Sequence, residues 1–93
     1  MNGEEPVLVD FHATWCGPCK AMAPILKDAA KDLAGEVTIL KVDIDQNPKL
    51  AEKYRIMGVP TFIMFKEGNV LWQRAGFMTK HQLMGMVREN VES

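Results

Sequence analysis

A run of β-branched and apolar residues, Val7 to Phe11, carries one acid, Asp10, and leads within five residues into Cys16-Gly17-Pro18-Cys19. So short and apolar a run is the pattern of a strand buried on both faces. From Gly17 to Leu33 the apolar residues Met22, Ile25, Leu26, Ala29, Ala30 and Leu33 recur at helical spacing, and Gly35 supplies a stop. A strand, a tight loop and a helix therefore follow in that order, with both cysteines at the helix start. Pro24 falls inside the helix, where the missing amide predicts a kink. The next apolar run, Val37 to Ile44, completes a right-handed crossover and makes a parallel pair with the first.

Beyond it, Asn47-Pro48 reads as an N-cap followed by proline at the first helical position, opening a short helix to about Tyr54 or Ile56. Thr61 to Lys66 and Val70 to Ala75, joined through Glu67-Gly68-Asn69, predict an antiparallel hairpin. Thr79 with Gln82 three residues on forms a capping box, Met78 and Leu83 a hydrophobic staple, and Leu83, Val87 and Val91 the buried stripe of a last helix. The expected fold class is α/β: a minimal four-stranded mixed sheet, a parallel pair plus an antiparallel hairpin, with three helices on both faces. Residues 1–93 make one domain, with 1–5 a short N-terminal extension.

Composition narrows the function. Apolar residues make up 47% and charged residues 25%, with a net charge of -1. This is a soluble globular balance without the basic footprint of nucleic-acid binding or a polybasic membrane patch. No apolar run approaches the roughly 18 residues of a membrane span, and the polar start lacks the pattern of a signal peptide, so a cytoplasmic chain is expected.

The two cysteines close too short a loop to be an efficient structural staple, which points to a chemical use. A thiol at Cys16 would lie at the positive end of a helix dipole beside unpaired amides, and both favour thiolate. Cys19 comes round to the same helix face within disulfide reach, and Pro18 fixes the backbone between them. The competing use is zinc. It needs four ligands, and only His12 and His81 could supplement the pair, which disfavours it against a dithiol redox site.

The run VLVDFHATWCGPCK, followed by APIL, KVDIDQNP, YRIMGVPTFIMFKEG and AGF, closely resembles the thioredoxin family in order and in interval. The resemblance implies that Cys16 is the nucleophile that attacks a client disulfide and that Cys19 is the resolving thiol. It implies that Asp10 lies buried beneath Cys19 and accepts its proton; from spacing alone, an acid at a strand end held by lysine or water is an equal reading. Lys41 matches a family lysine near that acid and is a modulator, or simply a solvated lysine. Pro60 matches the cis proline facing the cysteines. The resemblance also implies that Trp15, Gly17, Pro18, Ile56, Gly58, Val59 and Gly76 would form an apolar client groove, with the Val59 backbone placed to pair with a bound peptide. For Ile56, ordinary core packing competes, and Trp72, Tyr54 and the methionines read as packing residues.

The resemblance further implies a protein-disulfide reductase, a thioredoxin-type electron carrier with no bound cofactor, recharged by a thioredoxin reductase that draws on NADPH. The alternatives are an oxidase or isomerase of an oxidising compartment and a binding subunit whose redox chemistry is incidental. Three departures stand out. Most members carry a further strand and helix before PVLVDF, so Val37 to Ile44 is expected as a parallel edge of a monomer. Such an edge invites pairing unless a partner or a charged, twisted edge protects it. His12 stands where many members have an aromatic residue, and is either a packed neutral histidine or a group that tunes Asp10 and Cys16. Phe77 replaces a small residue after the groove glycine and bears on client preference.

Overall fold

The computed structural model describes residues 5–92, with the side chains of 91 and 92 outside the description. Most of the expected 1–5 extension and the place of Val91 in the stripe therefore lie outside the described residues. The elements are β1 Val7–His12, α1 Gly17–Asp32, β2 Thr38–Asp43, α2 Pro48–Lys53, β3 Thr61–Lys66, β4 Asn69–Ala75 and α3 Lys80–Glu92. The sheet order is β2-β1-β3-β4, with β1 parallel to β2 and antiparallel to β3, and β3 antiparallel to β4. This is the expected mixed sheet.

β1 is hydrogen-bonded on both sides, and all of Val7 to Phe11 is buried, as a uniformly apolar strand requires. Alternation along the strand divides its residues between two layers. Val7, Val9 and Phe11 pack with Ile63 beside Tyr54 and Ile56, whereas Leu8 joins Phe62, Met64 and the buried faces of α1 and α3. Asp10, two residues after Leu8, falls on the α1 side. There it stands in register between Lys41 of β2 and Phe62 of β3.

α1 buries Cys19, Met22, Leu26 and Ala29, continues through Pro24, and ends before Gly35, whose φ of 84° is easily adopted by glycine. The hairpin loop is tighter than expected. Asn69 belongs to β4, leaving Glu67 and Gly68 at φ 53° and 82° in a two-residue turn. Asn47 also departs from expectation: its side chain makes no cap bond, and its Nδ2 donates instead to the Asp43 carbonyl at 3.0 Å. The Asp43 carboxylate and carbonyl organise that turn, and α2 ends at Lys53. Nor are all the methionines core fillers. Met22, Met64 and Met78 are fully buried, but Met57 is 95% exposed.

β2 lies at the sheet edge, with Lys41 exposed and Leu40 46% exposed. At the start of α3 the capping box is complete. The Gln82 amide donates to Thr79 Oγ1 at 3.1 Å and the Thr79 amide to Gln82 Oε1 at 3.0 Å, while Met78 and Leu83 are buried in one cluster. Thr79→Ala is therefore expected to cost about 1 kcal/mol, read as a lower urea midpoint at unchanged slope.

Candidate active site

Cys16 is the N-cap of α1, with the extended backbone a cap needs, φ -88° and ψ 114°. Its sulfur does the work of the usual cap oxygen, since the Cys19 amide donates to Cys16 Sγ at 3.1 Å. The two cysteines are joined as a disulfide, with Cα atoms 5.3 Å apart. Pro18 lies between them at the first helical turn, where its missing amide leaves no gap in the ladder. In the reduced state an anionic Cys16 would meet the same amide and the positive end of α1.

Burial does not distinguish the two cysteines, because Cys16 is 4% and Cys19 8% exposed. Their neighbours do. Cys19 lines an open cavity of about 310 Å³ together with Asp10, His12, Ala13, Thr14, Lys20, Ala23 and Lys41, and Cys16 does not. Cys16 instead faces the turn before β3, with its Sγ 3.5 Å from the Val59 carbonyl oxygen.

Asp10 is 3% exposed, and its Oδ1 is buried without a hydrogen-bond partner among the described residues. Burial pushes its carboxyl up to about 6 from an ordinary 3.8, against the opposing pull of the His12 and Lys41 charges. The value brings the acid close to neutral pH, the range useful for proton transfer.

Val59 packs against Ala13 and the cysteines, the Val59-Pro60 bond is cis, and the Gly76 amide donates to the Pro60 carbonyl at 2.8 Å. The structure thus brings Cys16, Cys19, Val59, Pro60 and Gly76 together. Gly17, Pro18 and Gly58 lie exposed around them, and Trp15 is 66% exposed, with its Nε1 donating to Asp45 at 2.9 Å. Ile56 is half-buried against the Phe11 and Tyr54 side of the core, the packing reading named for it above. One neighbour carried no signal in the sequence: Asp45, which holds Trp15, lies thirty residues away.

Among the described residues no group of three or more His, Cys, Asp or Glu side chains is placed to hold a metal ion, and no helix is long and apolar enough to cross a membrane.

The thioredoxin family model matches residues 1–89. Thioredoxin Y2, chloroplastic, of Arabidopsis thaliana is 44% identical over 93 residues, which cover 99% of this chain and 55% of that protein. A thioredoxin of Staphylococcus aureus is 51% identical over 76 residues, 82% of this chain and 73% of its own length. The chain thus spans about half of the plant relative and about three-quarters of the bacterial one. Among solved structures, the germline-specific thioredoxin Deadhead of Drosophila melanogaster superposes with a TM-score of 0.88 at 34% identity, over 92% of this chain and 81% of that one. A match in sequence over nearly the whole length, joined to a match in fold, means that the chain belongs to the thioredoxin family, whose members are thiol-disulfide oxidoreductases.

Proposed function

We propose that the protein is a protein-disulfide reductase working by dithiol-disulfide exchange. The observation that carries this reading is the Cys16 sulfur at the N-cap of α1, 3.1 Å from the Cys19 amide and bonded to Cys19. In the reduced protein the Cys16 thiolate attacks one sulfur of a client disulfide, forming a bond to it and expelling the other client sulfur as thiolate. Cys19 then gives its proton to the Asp10 carboxylate and attacks Cys16 Sγ, which forms the Cys16-Cys19 disulfide and releases the second client sulfur. Two electrons pass from the dithiol to the client. Lys41, beside Asp10 on β2, favours the ionised base.

The Val59 carbonyl beside Cys16 supports strand-like pairing with an extended client, and the exposed Trp15 supports an apolar groove. Recharging falls to a thioredoxin reductase that draws on NADPH, in a reducing compartment such as the cytoplasm.

Equilibration of the Cys16-Cys19 pair with glutathione tests the direction of this chemistry. A potential near about -270 mV is expected, and one well above about -200 mV would assign the protein to thiol oxidation or isomerisation instead.

A further inference from the structure

Asp10 and His12 are two residues apart on β1 and therefore project from the same face of the sheet. Both line the cavity that Cys19 borders. Among the described residues Asp10 Oδ1 has no hydrogen-bond partner, so the charges around it are what offset the cost of its burial. From β1 that neighbour is His12. From β2 come Lys41, in register with Asp10, and Asp43, in register with His12 and already accepting the Asp45 amide at 2.8 Å. From α1 come Lys20 and Cys19, and from β3 only the apolar Phe62 stands beside the acid. Lys41 and Lys20 are exposed, which lets solvent screen their charge, whereas His12 is half-buried.

We propose that His12 is a positioning residue for Asp10: its protonated imidazole shares the cavity with the carboxylate and holds it ionised, so that Asp10 still accepts the Cys19 proton in more acidic solution. The inference rests on the reading of Asp10 as the base for Cys19. The proton passes from Cys19 Sγ to the Asp10 carboxylate, and the imidazole contributes charge without entering the transfer. Histidine suits this task because its charge changes near neutral pH, which ties the resolving step to the acidity of the surroundings.

The test follows the Asp10 carboxyl carbon by NMR across pH in the oxidised protein, in the wild type and in His12→Phe, His12→Gln and His12→Lys. The Asp10 midpoint is expected to rise by about 0.5 to 1 unit in the Phe and Gln variants and to return to the wild-type value or below in the Lys variant. A midpoint unmoved to within about 0.2 unit in both folded neutral variants overturns the inference, as does failure of lysine to reverse a rise. The same variants are assayed for the rate at which Cys19 releases a client held on Cys16, whose acid limb is expected to shift by the same amount. A carboxyl midpoint that moves while the kinetic limb stays would show that Asp10 is not the base, and the inference falls with that reading.

Discussion

Cys19→Ser is expected to stop the reaction at its half-way point. Cys16 still attacks a client disulfide, but no second thiol opens the product, so mixed disulfides through Cys16 accumulate in cell extract and survive non-reducing electrophoresis. Multiple turnover falls by roughly three orders of magnitude or more, as expected when one member of a covalent unit is removed. Cys16→Ser loses turnover equally and traps nothing. This contrast assigns the two roles, which burial alone does not, since both cysteines are buried. If Cys19→Ser captures no client, the exchange mechanism fails.

Asp10→Asn is expected to make the protein more stable and slower at once. The folded Asp10 titrates near 6 against an ordinary 3.8, so between those values the native state holds a proton that the unfolded chain has already lost. Stability conferred by the wild-type residue therefore falls as pH rises through this window and is lowest above it. The difference of about 2.2 units corresponds to at most roughly 3 kcal/mol, and the residue is buried. Asp10→Asn should thus gain up to about that amount in urea unfolding at pH 8 with the disulfide intact, and almost nothing at pH 3. At neutral pH the release of a client held on Cys16 should slow by about a hundredfold, the scale of a lost general base. The first attack by Cys16 should change far less. An equal loss in both steps, or no gain in stability at pH 8, would remove Asp10 from the proton path.

The parts of this protein that were legible in its sequence are those decided within a few residues. The Thr79 and Gln82 capping box was readable because both its bonds span three residues. Gly35 and Gly68 were readable because positive φ suits so few residue types. β1 was readable because a strand paired on both sides must be apolar throughout. Asn47 misled because its cap role competes with a carbonyl, that of Asp43, which only the folded turn brings within reach. Asp10 stood between two readings in the sequence because nothing in one strand says what covers its far face; the fold buries it, in register with Phe62 and on the wall of a cavity that Cys19 also lines. Trp15 and Ile56 look alike as apolar residues, yet one is held in solvent by Asp45 and the other turns into the core.

The sulfur of Cys16 stands where most helices place the oxygen of a serine or an aspartate, and the first turn of α1 is fastened through it. Whatever that atom is bonded to is consequently felt by one backbone N–H, at Cys19. The amide proton of Cys19 is therefore a native probe of the electron inventory of the protein, and its resonance position and its exchange with solvent should differ among the dithiol, disulfide and client-bound forms without any added label.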